Sequence, residues 1–191
     1  VLLKKLEILI MPGSRVPDWF TAEPVVFSKQ RNRELKGIIC SGVLSFNKIP
    51  ENQREGLQLM DVQAKIFNLT DNVFSTTFRL LGVPRTNEDH IFLRRFGVKS
   101  SLVFQLQDKY TLHLKKRDPP LIEGLELKNC RIHLVFEGDD DYEGDEGSLD
   151  ESQYSVSQKL AKFFNFAAND PVCEQSSSAE LQEIRKRKYA E

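Results

Sequence analysis

A series of short β-rich segments constrains the fold of this chain more than any other feature of its sequence. They occupy the region from residue 21 to 136, and those after residue 90 follow one another at intervals of about ten residues. Polar and apolar residues alternate between Leu59 and Phe67, and a period of two is typical of a strand with one buried face. No helical period lies between the segments, so nothing favours a βαβ unit.

The predicted strands are Val25–Ser28, Gly37–Phe46, Leu59–Phe67, Thr76–Leu81, His90–Phe96, Leu102–Leu106, Tyr110–Lys115 and Lys128–Phe136. Asp108-Lys109 is predicted to be a tight hairpin link. About eight short strands predict a mainly β fold, an antiparallel β-sandwich in which alternate residues of two sheets form the core. In the last strand, Cys130, Ile132, Leu134 and Phe136 should face one way and Arg131, His133 and Val135 the other.

The composition changes after Phe136. Glu137–Glu151 holds nine acidic residues and no basic one, which predicts a mobile linker that the sandwich does not need. Val156, Leu160, Phe163, Phe164 and Ala167 then recur at helical spacing, which predicts an amphipathic helix over Ser155–Ala168. Ser177 and Glu180 fit a capping box for a last short helix. The sandwich should therefore carry a short C-terminal helical tail.

The net charge of −1 conceals an uneven distribution. Residues 1–136 carry 21 basic and 14 acidic side chains, whereas residues 137–191 carry 6 and 14. A mildly basic body permits an electrostatic protein partner, but it is far from the dense positive field of a nucleic-acid binder. No run of apolar residues is long enough to span a membrane, and the first ten residues do not read as a secretory signal.

Met11–Phe20 combines two prolines, a glycine and the only tryptophan. Pro12-Gly13 predicts a turn, since glycine accepts a positive φ, and Pro17 excludes a helix. Trp19 and Phe20 should then anchor the core, and a structural role is favoured over ligand contact.

No familiar catalytic motif is present. Asp89-His90 suggests an acid/base pair, but neighbouring strand residues face opposite sides and no nucleophile is indicated. Cys40, Cys130 and Cys173 are few and widely spaced, which is typical of free thiols in a reducing compartment. We expect a non-enzymatic chain without cofactor or metal. One group of residues has a spacing like that of a calcium-binding loop: Asp139, Asp141, Glu143, Gly144 and Asp150. A solvated linker is nevertheless favoured over a cation site.

Two basic clusters are candidate functional surfaces. If the strands that carry His113 and His133 were neighbours, their charges would form one cationic face. The candidate partner-binding residues are Arg94, Arg95, His113, Lys115, Lys116, Arg117, Arg131 and His133. A solvated sheet face is the simpler interpretation and a protein-binding patch is the functional one. The second cluster, Arg185, Lys186, Arg187 and Lys188, fits either a nuclear-import signal or charges at a helix C-terminus.

Four stretches, in order, resemble a known domain: Met11–Phe20 (MPGSRVPDWF), Glu34–Phe46 (ELKGIICSGVLSF), Asp89–Phe96 (DHIFLRRF) and Leu127–Tyr142 (LKNCRIHLVFEGDDDY). They are similar to the C-terminal jelly-roll/Ig-like domain (C-JID, or post-LRR domain) of plant TIR-type NLR immune receptors. Leu3–Ile8 also fits the core of a leucine-rich repeat. The resemblance implies the end of a repeat at 1–10, a C-JID-like sandwich at 11–142, and an acidic linker with a helical tail at 143–191.

The resemblance also implies a function. Such a domain closes a leucine-rich-repeat horseshoe and helps it recognise a pathogen effector, in the cytoplasm or the nucleus, without binding nucleic acid or membrane. The implied partners are the effector and the adjacent repeats, and any nucleotide-binding or NAD-cleaving part lies elsewhere in the receptor. The alternative is a jelly-roll domain that binds carbohydrate or another small ligand, although its aromatic residues Trp19, Tyr110 and Tyr142 are scattered.

Overall fold

A computed structural model describes residues 6–28, 32–48, 57–68, 73–106, 110–140 and 153–168. This part of the chain contains the following strands: β1 (Ile8–Pro12), β2 (Thr21–Ala22), β3 (Val25–Phe27), β4 (Leu35–Phe46), β5 (Leu57–Leu59), β6 (Val62–Asn68), β7 (Val73–Thr77), β8 (Leu80–Val83), β9 (His90–Gly97), β10 (Tyr110–Lys116) and β11 (Leu125–Phe136). It also contains two helices, α1 (Ser101–Gln105) and α2 (Val156–Ala168).

The larger sheet has five antiparallel strands in the order β1-β9-β4-β11-β2. Its centre is β4, which pairs with β9 from Gly37 to Leu44 and with β11 along nearly its whole length. A bulge between Lys128 and Arg131 places two residues of β11 opposite one of β4. The bulge shifts the alternation, so that Leu125 and Leu127 face the core before it and Cys130 and Ile132 after it.

A four-stranded antiparallel sheet, β3-β10-β6-β7, lies opposite, and β5 pairs with β8 in a small third sheet. The chain passes from one large sheet to the other between β2 and β3, at Glu23 and Pro24. Leu112, Leu114, Ala64 and other apolar residues of the smaller sheet form one buried cluster with the inward residues of β4, β9 and β11. The predicted fold class, mainly β with antiparallel sheets and a short helix after them, is confirmed.

Helix α2 covers the outer face of the five-stranded sheet. The predicted amphipathic helix is confirmed, with Val156 and Leu160 fully buried. These two side chains pack against Ile39, Leu93 and Val135, which alternate with the core residues of their own strands. The five-stranded sheet is therefore apolar on both faces, and its outer face is shielded from water by α2 and by the turn that ends at Phe20.

Two predicted strands differ from the structure because local signals compete with the β pattern. Leu102–Leu106, predicted as a strand, lies in helix α1 and its C-cap. The Ser100 hydroxyl accepts the Leu102 N–H over 3.1 Å and so caps the helix, whose adjacent residues Leu102 and Val103 are both buried. Thr76–Leu81 is divided between β7 and β8, which join different sheets.

The predicted strand Leu59–Phe67 is also divided, between β5 and β6, at Met60 and Asp61. Asp61 is fully buried there. One of its carboxylate oxygens accepts the Leu121 N–H and the other the Ile122 N–H, each over 2.8 Å. The carboxylate thus fixes the loop that joins β10 to β11, a role that the alternation of polar and apolar residues did not reveal.

One of the two predicted domain boundaries falls inside a strand, and the other, between residues 142 and 143, lies outside the described residues. The boundary between residues 10 and 11 lies within β1, whose Ile8 is already paired with Arg94 of β9. At the other end, residues 137–140 were predicted to begin a mobile linker, but they are held by the sandwich: Asp139 forms an ion pair with Arg33, and Asp140 one with Arg95. Residues 141–151 of the predicted linker, Asp108-Lys109, and the predicted last helix after Ser177 lie outside the described residues.

Candidate functional site

The eight candidate partner-binding residues do not form one face. The strands β10 and β11, which carry most of them, belong to different sheets, so the expectation that these strands are neighbours is wrong. Arg95, Arg131 and His133 lie on the outer face of the five-stranded sheet, near α2, whereas His113 and Lys115 lie on the outer face of the other sheet. A polar residue that alternates with core residues lies on a predictable face of its strand. Which sheet that strand joins is decided only by the tertiary structure.

The group under α2 is engaged within the protein. One Arg131 nitrogen donates hydrogen bonds to the carbonyl oxygens of Asp18 and Phe20, each over 3.2 Å, and thereby holds the turn in place. Arg95 binds Asp140, whose other carboxylate oxygen accepts the Ser157 N–H at the start of α2. Burial is the largest single influence and would raise the pKa of Asp140, but the hydrogen bond and charge of Arg95 together with the Ser157 hydrogen bonds outweigh it, so the pKa is lowered. These side chains attach α2 to the sheet.

His133 is packed between aromatic rings. Its imidazole is stacked on Phe20 with 5.4 Å between centroids and meets Trp19 edge-on at 4.8 Å. Burial, with a smaller contribution from Lys159 on α2, lowers the pKa of His133 to about 4, although Asp139 and Asp140 act in the opposite direction. His133 is therefore neutral at physiological pH and cannot supply the positive charge that the sequence suggested.

The anchors of the N-terminal motif are only partly as predicted. Phe20 is fully buried, whereas Trp19 is half-buried, with Lys159 of α2 at 5.5 Å from its ring. Pro12 ends β1 rather than opening a turn; the hydrogen-bonded turn runs from Pro17, which is buried, to Phe20. Gly13 has a φ of 141°, so glycine is required here as expected, and a Cβ would lie 3.0 Å from Ile91.

Arg94 points toward the core side of β9. Its guanidinium lies 5.1 Å from the Phe96 ring centroid and 3.6 Å from the Glu7 carboxylate. It therefore fastens the edge strand β1 to its neighbour and is mostly withdrawn from solvent. Of the candidate patch, the side chains that remain open are those on and beside β10, with Lys115 and Lys116 exposed and His113 and Arg117 half-buried.

No described residue covers the outer face of the four-stranded sheet. One row across it reads Val26, Thr111, Phe67 and Val73, with both valines more than half exposed. His113 meets the edge of the Phe67 ring at 5.2 Å between centroids. This face thus combines an apolar row with polar and basic side chains, whereas the opposite outer face of the sandwich is closed by α2.

An open groove lies beside this face, between β10 of one sheet and β11 of the other. Its volume is about 800 Å³, and its lining comes from residues 114–116 on one side, residues 124–128 and Cys130 on the other, and Glu23 and Asn47 at the ends. Leu127 and Cys130 are half-buried, and Lys115, Lys116 and Lys128 are exposed. An open, largely polar groove with exposed lysines is better suited to binding a segment of another protein than to enclosing a small substrate.

The carboxylates of the groove already have partners in the protein. Glu23 accepts the Leu114 N–H, and Glu126 accepts hydrogen bonds from Asn47 and Ser45. A hydrogen bond with Lys128 and one from Asn47 lower the pKa of Glu126, and the bond to Glu126 raises the pKa of Lys128. The groove therefore presents three lysines, Lys115, Lys116 and Lys128, against two carboxylates that are both hydrogen-bonded within the protein.

The thiols and histidines are not arranged for catalysis in the described part of the chain. Burial raises the pKa of Cys130 to about 12 and that of Cys40 still higher, so both are neutral thiols and poor nucleophiles. His90 is buried, with Nδ1 3.2 Å from the Glu88 carbonyl oxygen, and Asp89 binds Lys128 instead. Within the described ranges, no three His, Cys, Asp or Glu side chains could hold a metal ion together.

Asp139, the first residue of the calcium-loop-like spacing, accepts the Phe136 N–H over 2.8 Å and pairs with Arg33. It is thus occupied, and the other four positions lie outside the described residues, as do Arg185, Lys186, Arg187 and Lys188. A capping box that was not predicted stands at the start of α2. Ser155 and Gln158 exchange hydrogen bonds there, and the spacing S-x-x-Q would have revealed it.

No protein-family model matches this chain, and no curated protein matches it either. Across the described ranges, neither helix has the length and apolar character needed to cross a membrane.

Proposed function

We propose that this chain is a non-catalytic recognition and packing module, the C-JID of a plant TIR-NBS-LRR disease resistance protein. The observation that carries the proposal is where the four motifs lie. The motifs are spread between residues 11 and 142 of the chain. They fall on β1 with the turn after it, and on β9, β4 and β11, which lie side by side in one sheet. Motifs that build a single sheet together support a common domain rather than four chance similarities.

The module would contribute to innate immunity in two ways. Strand β1 begins at Ile8, the last residue of the repeat-like segment, and pairs with β9, so a preceding leucine-rich repeat would join the chain close to this sheet. The open face and the groove beside β10 would then supply part of the surface that recognises the effector and triggers defence. The receptor would act in the cytoplasm or the nucleus, and its nucleotide-binding and NAD-cleaving activities would reside in other domains.

The test is a charge reversal in the full receptor. Lys115 and Lys116 are replaced together by glutamate, and effector binding and defence signalling are measured in leaf tissue. We expect slower effector association with unchanged receptor accumulation, since exposed charges steer encounter more than they stabilise folding. The matched control is Lys36→Glu with Lys99→Glu, which are exposed at the opposite end of the five-stranded sheet.

Three results would argue against this role for the surface. A charge-reversed receptor that recognises its effector at the normal rate would exclude these residues from recognition. If the control variant is equally impaired, the loss of recognition is explained by the change in net charge and not by the position of these residues. Signalling without effector would indicate that the surface maintains the resting receptor by contacting the adjacent repeats.

A carbohydrate-binding domain is the second candidate, and the row around Phe67 favours it. A half-buried aromatic ring beside Thr111 and His113 on an open sheet could stack on a sugar and bind its hydroxyls. Trp19 does not contribute, because α2 covers it. A glycan array distinguishes the candidates: saturable binding that Phe67→Ala abolishes would favour carbohydrate, whereas protein capture from infected tissue without glycan binding would favour the receptor module.

A further inference from the structure

The groove between β10 and β11 is bordered by two strand edges that lack a partner strand among the described residues. Strand β10 is paired with β6 along its length, but β3 covers only Tyr110–Leu112 on its other side. Strand β11 is paired with β4, and β2 covers only Arg131–Ile132. Residues 114–116 and 125–128 therefore face each other across the groove as the open side of the sandwich.

Charged side chains already occupy hydrogen-bonding positions on both edges. The Glu23 carboxylate accepts the Leu114 N–H, and the Lys116 ammonium donates to the Leu125 carbonyl oxygen over 3.0 Å. These backbone groups point into the groove, where a further strand would bind them. Since backbone direction alternates along a strand, the N–H and C=O of Leu127 lie on the same edge as those of Leu125.

We propose that this groove binds an extended, acidic segment of a partner protein, which adds as a strand to the β11 edge. Main-chain hydrogen bonds to Leu127 would supply affinity that does not depend on the partner's side chains. Alternate side chains would point inward, where half-buried Leu127 and Cys130 leave room for small apolar groups. The intervening side chains would meet Lys115 and Lys116, and the three lysines of the groove outnumber its two carboxylates, which favours an acidic partner.

This inference rests on the proposed function, since it assigns one mode of protein recognition to the same surface. It is nevertheless tested separately, with the purified chain and a synthetic peptide. The probe is a fluorescein-labelled heptapeptide of alternating glutamate and valine, and its binding is measured by fluorescence anisotropy at low and moderate salt. Two comparison peptides replace glutamate by lysine or carry N-methylated valines, which cannot donate main-chain hydrogen bonds.

We expect the acidic peptide to bind saturably and to shift the amide NMR signals of Leu127 and Cys130. Lys115→Glu with Lys116→Glu should weaken binding about tenfold, because each reversal replaces a modest attraction by repulsion. The control variant Lys36→Glu with Lys99→Glu carries the same change in net charge and should bind normally. Circular dichroism confirms that both variants remain folded.

Equal binding of the N-methylated peptide would overturn strand addition, and equal binding of the lysine peptide would overturn the acidic specificity. The inference also fails if the acidic peptide does not bind at all, or if the groove variant binds it as well as the control variant does. None of these results bears on the proposed function, which is tested separately by the response of the full receptor to its effector. Conversely, groove-dependent peptide binding in a chain whose charge-reversed receptor signals normally would exclude this surface from effector recognition and leave the peptide site standing.

Discussion

Mild acid should loosen α2 from the sheet through a single buried histidine. In the folded protein the pKa of His133 is about 4, against 6.5 for an ordinary histidine, because the imidazole lies between Trp19 and Phe20 under the helix. Lys159 also disfavours the charged form, while Asp139 and Asp140 partly stabilise it. As the pH falls, the unfolded chain therefore takes up a proton on this residue before the folded chain does.

The sign and size of the effect follow from linkage. For a base whose pKa is depressed on folding, the stability is fully present above the unfolded value, pH 6.5, and is lost as the pH falls toward 4. Between pH 7.5 and pH 5, the free energy of unfolding should drop by about 2 kcal/mol from this group alone. The total loss approaches about 3 kcal/mol once the folded form is also protonated.

Urea unfolding followed by tryptophan fluorescence measures this effect, because Trp19 is the only tryptophan and its ring contacts His133. The matched variant is His133→Phe, which keeps an aromatic ring between Trp19 and Phe20 but cannot be protonated. Carboxylates also titrate in this range, so the informative quantity is the difference between wild type and variant at each pH. We expect that difference to change by about 2 kcal/mol between pH 7.5 and pH 5.

An identical loss of stability in the variant and the wild type would refute the reasoning, since the proton would then bind elsewhere. A wild type that becomes more stable on acidification would show that Asp139 and Asp140 outweigh burial, and that His133 gains rather than loses by protonation.

Three further predictions concern stability and are checked by urea or thermal unfolding. Phe20→Ala should cost about 3–5 kcal/mol because the ring is fully buried, whereas Trp19→Ala should cost only about 1–3 kcal/mol because the indole is half-buried; equal costs would contradict this order. Asp61→Ala should cost about 2–3 kcal/mol, since two backbone N–H groups lose their acceptors, and an unchanged midpoint would show that water replaces the carboxylate. Gly37→Ala should cost about 1–3 kcal/mol because its Cβ would lie 2.8 Å from the Phe96 carbonyl oxygen. The control is Gly97→Ala at the cross-strand partner, which has open space around it and should be nearly neutral. Similar costs for both substitutions would exclude the steric cause.

For the candidate surface, the alternation of residues predicts the face of the strand but not what covers that face. Alternation correctly placed Arg131 and His133 on the face of β11 opposite the core. It could not show that α2 returns to cover that face, because the helix packs there through contacts more than twenty residues away in sequence. A face predicted to be cationic and open is instead buried around His133, and the open basic residues belong to the other sheet.

The sequence by itself determined the mainly β class, most strand positions and the amphipathic helix α2, since these depend on local periodicity and on neighbouring residues. Only the tertiary structure decided which strands share a sheet, where α2 docks and which polar side chains are buried. Asp61 and His133 have ordinary sequence surroundings, and their burial depends on partners about sixty and one hundred and ten residues away. Such long-range pairing is set by the packing of two sheets and a helix around shared apolar clusters, and no local pattern records it.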